Sequence, residues 1–315
     1  MKRPDGSPGG TFRWLLGAAV VALVCRTAPA RSQEGAGRPE LDPARIEKLT
    51  GLKGSLIPDE GVFKVTSPRT DVPVSVDRWA MPPFMGLTSW AAFQKGRQAE
   101  AMVMGDLVLF EDEVNPVLTV CLEEGLAVTA LHNHFFFDLP RVYFMHIGGE
   151  GTQEALAGAV RKALAKVRQI RGASPVPGTG FGGKDLPRTS SITPKPVEDL
   201  LGATGQGKDG MFKVVIGRKV RAACGCEVGK EMGVNTWAAF AGTDDNAVVD
   251  GDFAVLEEEM QPVLRALRKA GIDIVAIHHH MTFETPRMLF LHYWGRGKVA
   301  DLARGLKSAL DVQKK

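Results

Sequence analysis

Apolar positions along this chain fall into short stretches of two periods. Val114, Val117, Leu118 and Cys121 recur at helical spacing behind the acidic Glu111-Asp112-Glu113, which suits a helix N-terminus, and Gly125 supplies the stop. Around this helix, Thr88 to Phe93 and Met102 to Leu109 read as strands. Leu126 to Phe135 and Arg141 to Ile147 read as a hairpin about Asp138-Leu139-Pro140, and Glu154 to Val167 as a closing amphipathic helix. Upstream, Asp42-Pro43 opens a short helix that precedes an extended Gly61 to Val65. The core order is β-β-α-β-β-α.

The same pattern occurs twice. Gly105-Asp106 returns as Gly251-Asp252, and the offset of 146 residues holds without a gap to Gly149 and Gly295. Within that stretch Glu111, Glu113, Pro116, Val117, Leu118, Gly125, Ala130, His132, His134, Phe137, Pro140, Arg141, Phe144 and His146 all have identical partners. With small shifts, Gly61, Phe63 and Lys64 match Gly210, Phe212 and Lys213, and Trp90-Ala91-Ala92-Phe93 matches Trp237-Ala238-Ala239-Phe240. The chain is therefore divided into a first repeat domain (42–168), a Gly/Pro-rich linker (169–192) and a second repeat domain (193–312). Hairpin-linked strands with interspersed helices predict an α+β fold: an antiparallel sheet in each copy, helices on one face, the copies packed as a pseudo-dimer.

Residues 1–30 read as a signal peptide. Lys2, Arg3 and Arg13 form a basic region, Trp14 to Val24 is an apolar run too short to span a bilayer, and Ala28-Pro29-Ala30 is a small-residue cleavage site. The expected location is periplasmic or secreted. A lipid anchor at Cys25 is disfavoured by Val24, which stands where a small residue is wanted. No later segment reaches transmembrane length. Four of the 39 basic residues and one of the 36 acidic ones lie in this leader, so the rest of the chain is formally neutral. That excludes the basic footprint of a nucleic-acid or anionic-lipid binder. Cys121, Cys224 and Cys226 remain, an odd number that argues against a disulfide framework. Cys121 reads as a buried thiol. Cys224-Gly225-Cys226 is either a soft-metal or strained-bond site on one strand face or two unremarkable small residues.

All seven histidines fall in the two equivalent hairpins, at His132, His134, His146, His278, His279, His280 and His292. On a strand, His132 and His134 share one face, as do His278 and His280. With a three-residue loop, Asp138 to Pro140, the register sets His132 opposite His146 and His278 opposite His292, so three imidazoles converge in each copy. Such a set suits a transition metal, zinc first, with an open position for water. Asp106 and Asp252, Glu111 and Glu257, Glu113 and Glu259, and Asp138 and Glu284 are further candidate ligands or bases, against ordinary roles as helix caps and turn formers. Arg141 and Arg287 are candidate catalytic residues that clamp a carboxylate or phosphate, with a salt bridge to Asp138 or Glu284 as the alternative. Trp294 and Tyr293 are candidates for a stacking wall for a sugar or aromatic ligand, against a role in packing. His132-Asn133-His134 lacks the basic surface of a nuclease, Gly178 to Gly183 lacks the strand and helix of a phosphate loop, and no nucleophile-elbow serine is present.

Ala130-Leu131-His132-Asn133-His134, Pro140-Arg141 and Met85-Gly86, with Val234-Asn235-Thr236-Trp237-Ala238-Ala239-Phe240, Ile277-His278-His279-His280 and Leu291-His292-Tyr293-Trp294-Gly295, resemble the LppY/LpqO family of exported proteins. The resemblance covers nearly the whole chain after the leader. It implies a secreted or lipid-anchored protein built on a duplicated domain of unknown function, without an established active site to carry over. The functional expectation is an exported metal-binding protein, a hydrolase or lyase, in which the histidines activate water or one acts as general base beside Arg141 or Arg287. The alternatives are a non-catalytic module binding a small-molecule or glycan-type ligand, and a structural envelope protein.

Overall fold

Asp42 accepts a hydrogen bond from the Arg45 amide (3.0 Å) and so caps α1 (Pro43–Thr50), which Gly51 ends in a left-handed conformation at φ 74°. The computed structural model describes residues 40–313, so the signal-peptide reading and Cys25 lie outside the described residues. The first copy continues through β1 (Gly54–Ile57), β2 (Val62–Pro68), β3 (Ser75–Val76), β4 (Trp79–Ala80), β5 (Thr88–Lys95) and β6 (Ala101–Phe110). It closes with α2 (Glu111–Glu123), β7 (Ala127–His132), β8 (Asp138–Leu139), β9 (Val142–Gly151) and α3 (Gln153–Ala173). The second copy runs α4 (Pro194–Leu201), β10 (Gly205–Lys208), β11 (Met211–Gly217), β12 (Val220–Arg221), β13 (Glu227–Val228), β14 (Asn235–Thr243) and β15 (Asn246–Leu256). It ends with α5 (Met260–Lys269), β16 (Asp273–His278), β17 (Met288–Gly297) and α6 (Val299–Asp311).

The expected pair of separate sheets, each a β-β-α-β-β-α unit with its own helices, is overturned. Both copies contribute to one twelve-stranded antiparallel sheet in the order β1-β2-β5-β6-β9-β7-β16-β17-β15-β14-β11-β10, and both lie in one compact unit. The join is a single pairing of Leu131 in β7 with Ile277 in β16, which are equivalent positions of the repeat, so a pseudo-two-fold axis passes through it. The physical reason is edge chemistry. β7 and β16 would each leave a row of unpaired backbone groups at a sheet edge, and fusing two like edges conceals both.

The two strands diverge on either side of this bridge, and side chains take over the missing ladder bonds. Asn115 of α2 donates to the Ile274 carbonyl (3.0 Å) and accepts from its amide (2.7 Å). Gln261 of α5, its repeat equivalent, does the same for Val128 (2.8 and 3.0 Å). Both acceptor strands carry a bulge there, between Val128 and Ala130 and between Ile274 and Ala276.

The main core combines strand residues such as Val65, Phe93, Leu107, Phe240 and Leu291 with helix residues Ile46, Leu118, Val160, Val197, Leu264 and Leu306. Asp106, His146, Asp252 and His292 alternate along their strands with these core positions and therefore project from the opposite face. That face carries a smaller apolar cluster in each copy. Val74, Leu87, Val108, Phe110, Val142 and Phe144 form one, and Val220, Val234, Ala254, Met288 and Phe290 form the other.

Glu113 and Glu259 take the capping role rather than a place in a site. The Glu113 carboxylate accepts from the Phe110 amide (2.9 Å) and pairs in the interior with Arg69 (2.7 Å) and Arg171 (2.8 Å). Glu259 accepts from the Leu256 amide (2.9 Å) and pairs with Arg218. Beyond α3, Phe181 stacks on Trp294 (6.4 Å between centroids), and Arg296 donates to the carbonyls of Gly182 and Lys184. Trp294 is thus covered by the inter-copy segment, and Tyr293 is buried with its hydroxyl donating to the Trp237 carbonyl (2.8 Å). Neither forms the stacking wall considered from sequence. Gly251 is required at this spot, because a Cβ there would meet the Tyr293 hydroxyl at 2.1 Å and the Trp237 carbonyl at 2.3 Å.

Candidate metal centre

The hairpin loops are longer than the sequence reading allowed. β7 ends at His132 and β9 begins at Val142, so residues 133–141 form the connection, and residues 279–287 form its counterpart. The register changes accordingly: His132 faces Phe144 and His146 faces Ala130, while His278 faces Phe290 and His292 faces Ala276. The direct opposition of His132 to His146 and of His278 to His292 is therefore corrected. A shift of two residues preserves the face, so the imidazoles still meet as diagonal neighbours.

His134 and His280 lie beyond their strands and are placed by stacking. His134 lies flat on Phe144 (centroids 3.4 Å, 4°) and His280 on Phe290 (3.5 Å, 9°). Each phenylalanine belongs to the small apolar cluster of its copy, so the histidine rests on a packed base. Asp138 and Glu284 fix the loop ends by accepting from the Val142 (2.6 Å) and Met288 (2.9 Å) amides. At Glu284 burial works against ionisation, yet the Met288 amide and the nearby Arg287 outweigh it and hold the carboxyl below the usual carboxylate range.

The second copy gathers a triad. In Asp252, His278 and His280 one ligand atom from each lies within 4.8 Å of the others. The His280 Nε2 is 3.2 Å from His278 Nε2 and 3.3 Å from Asp252 Oδ2. Two donors bound tetrahedrally to zinc at about 2.0–2.1 Å sit about 3.3–3.4 Å apart, which matches these two edges, while the third, Asp252 to His278, is held only within 4.8 Å and must shorten around an ion. Asp252 is 3% exposed, and its Oδ1 has no hydrogen-bond partner among the described residues; neither has His278 Nδ1. Burial, then the neighbouring His292 and His280, hold the His278 ring below the ordinary histidine value of 6.5, against the opposing pull of Asp252. A neutral imidazole is the ligand form.

His292 stands beside the triad, not in it. Its ring stacks on His278 (4.7 Å, 17°) and its Nδ1 points at the Gly251 carbonyl (3.4 Å). In the first copy the close pair is instead His132 and His146, with Nε2 atoms 3.1 Å apart, and His134 stacks on His132 at 5.2 Å. Asp106 is the buried counterpart of Asp252, with its Oδ1 likewise unpartnered. Burial and His132 keep His134 below 6.5 as well. The same residue types are present there, but their ligand atoms do not close on a common point.

Arg141 is exposed at the start of β9, and Arg287, also exposed, donates to His279 Nε2 (3.4 Å) and not to the triad. Cys121 is buried, which pushes its thiol up to about 12. Cys224 and Cys226 are exposed on a turn between β12 and β13, not on a strand face. Sequence reasoning did not commit to Asp252 or to the Phe144 and Phe290 platforms. Their signal lay in the repeat, since Asp106 and Phe144 are among the positions shared by both copies.

A cleft of about 670 Å³ is lined by Asp252 and His280 of the triad, but not His278, together with Trp237, Lys213, Lys230 and Asn235. Among the described residues no helix is long and apolar enough to cross a membrane.

A search of curated proteins returns no match. Among solved structures, a trimeric bacterial microcompartment shell protein, PduB, aligns at 11% identity over 82% of this chain and 89% of that one, with a TM-score of 0.20. The model of a domain of unknown function, DUF1259, matches residues 44–166 and again residues 195–312. With most of the chain accounted for by two copies of that domain, the protein belongs to the DUF1259 family.

Proposed function

We propose that the protein binds a transition metal ion, zinc first, through Asp252, His278 and His280, and that this centre serves a hydrolase or lyase. The observation that carries the reading is the triad itself. A buried aspartate, one oxygen unpartnered and the other 3.3 Å from His280, and two imidazole nitrogens 3.2 Å apart gather within 4.8 Å of one another beside an open cleft. Three protein ligands leave a fourth position for water, whose pKa such an ion lowers to about 7. His292 packs on His278 and fixes its ring plane. His132, His134 and His146 with Asp106 form a second, weaker site, because their donors must rotate to converge. The reading gives Arg141 and Arg287 no chemical role, since neither reaches the triad.

The leader-like residues 1–30 and the LppY/LpqO-like motifs support export to the periplasm or beyond. The test is elemental analysis of untagged full-length protein recovered from the exported fraction. About one equivalent of metal is expected, lost in Asp252→Asn and His280→Ala and retained in His134→Ala. Metal-free protein that takes up none when zinc is offered would overturn the reading.

A further inference from the structure

The cleft beside the triad has its own chemistry. Crossing the sheet, Val215 of β11 faces Trp237 of β14, which faces Asp252 of β15, which faces His292 of β17. One residue pair along, Lys213 lies on the same face, and its ammonium sits over the Trp237 ring at 4.1 Å from the centroid. That cation–π contact holds the ammonium at the cleft wall. No carboxylate of the described residues pairs with it. Lys230 also lines the cleft, 3.6 Å from Glu231, and its carbonyl accepts from the Asn235 side-chain nitrogen (2.7 Å), which leaves the Asn235 amide oxygen as an acceptor.

The repeat shows which parts of this arrangement are shared and which are special to the second copy. Lys64 covers Trp90 at 4.4 Å in the first copy, and Trp90 faces Asp106, so the lysine, tryptophan and aspartate row occurs twice. The rim does not. The short turn Pro83–Met85 in the first copy carries Phe84, 97% exposed, whereas the equivalent turn Lys230–Met232 presents Lys230 and Glu231. The second copy thus has a charged rim where the first has an apolar one.

We propose that the second-copy cleft binds a hexose-sized organic anion, a sugar acid or a sugar phosphate, whose charged group is met by Lys213 and Lys230 in a wall that includes Trp237. The volume of about 670 Å³ is in the range of small-ligand sites. Asn235 and Gln206 at the wall offer hydrogen-bonding groups for sugar hydroxyls, and Trp237, capped on one face by Lys213, adds apolar surface. Two lysines and an ion at the triad outweigh Glu231 and Asp252, so the occupied cleft favours negative charge. The proposal names the ligand class of the centre proposed above and rests on that reading only for the ion's share of the charge.

The test is calorimetric titration of zinc-supplemented full-length protein with D-glucuronate, D-glucose 6-phosphate and neutral D-glucose, with metal content measured on the same samples. Either anion is expected to bind at least about tenfold more tightly than glucose, because charge-assisted hydrogen bonds are lost with the neutral sugar. Preference for one anion identifies the charged group as carboxylate or phosphate. Lys213→Met and Lys230→Met, both at exposed positions, should each weaken anion binding about tenfold while keeping the metal, and Lys64→Met should leave it unchanged. Equal binding of glucose and the anions, no anion binding to metal-containing protein, or indifference to Lys213→Met overturns the proposal. Protein without metal that still binds the anions through Lys213 would sink the metal reading and keep this one.

Discussion

Asp252→Asn separates stability from metal binding in a way that ordinary damage does not. Without an ion, Asp252 is a buried carboxylate whose Oδ1 has no partner, an arrangement that works against the fold. The neutral amide relieves that cost, so metal-free Asp252→Asn should be as stable as the parent or more stable by up to about 2 kcal/mol. With zinc the order reverses. Because His280 already stands 3.2 Å from His278 and 3.3 Å from Asp252, near a tetrahedral edge, two of the three donor spacings are preformed and the free energy of binding adds to stability. Free zinc at about one hundred times its dissociation constant stabilises by about 2.7 kcal/mol. In a chain of this size that raises the melting temperature by about 4 to 5 °C. Scanning calorimetry of metal-stripped protein, with and without zinc, should show this rise in the parent and none in Asp252→Asn. An equal rise in the variant would refute the assignment of Asp252 as a ligand, and no rise in the parent would refute the site.

Three further outcomes follow from the geometry. Asn115→Ala leaves the Ile274 amide and carbonyl without their partners at the junction of the copies, and should destabilise by about 2–4 kcal/mol in urea denaturation, with Gln261→Ala behaving alike. A loss under 1 kcal/mol would show that the side-chain bridge is dispensable. Glu113→Ala removes the shared partner of two interior arginines, Arg69 and Arg171, and should cost about 3–5 kcal/mol by the same assay, a penalty that a Glu113→Gln variant keeping the cap only partly restores. His134 and His278 hold fewer protons when folded than when unfolded, since both lie below 6.5 in the fold. Metal-free stability should therefore be constant above pH about 7 and fall as pH drops through 6.5, and a His134→Gln/His278→Gln variant should flatten that fall.

What could be read from residues alone was the part governed by local periodicity and by repetition. The helix start at Asp42-Pro43, the helix from Glu111 that Gly125 stops and the antiparallel hairpin strands are local consequences of side-chain chemistry. The 146-residue offset announced two copies, and the confinement of histidine to two hairpins pointed to one face of the fold before any coordinates. The strand period even protected that inference from a register error, because a shift of two residues keeps His132 and His146 on the same side.

Tertiary structure decided whatever depends on groups distant in sequence. Whether two sheets stand apart or merge depends on how edges β7 and β16 meet, and the Leu131 to Ile277 bridge with Asn115 and Gln261 beside it is a contact across more than a hundred residues. The loop length escaped the sequence reading because β8 leaves the hairpin to pair with β3, Leu139 opposite Ser75. Above all, equal residue types in the two copies do not make equal sites. The donors of Asp252, His278 and His280 gather within 4.8 Å of one another and those of the first copy do not, since ligand geometry is set by ring rotation on a packed base, to which strand periodicity is blind.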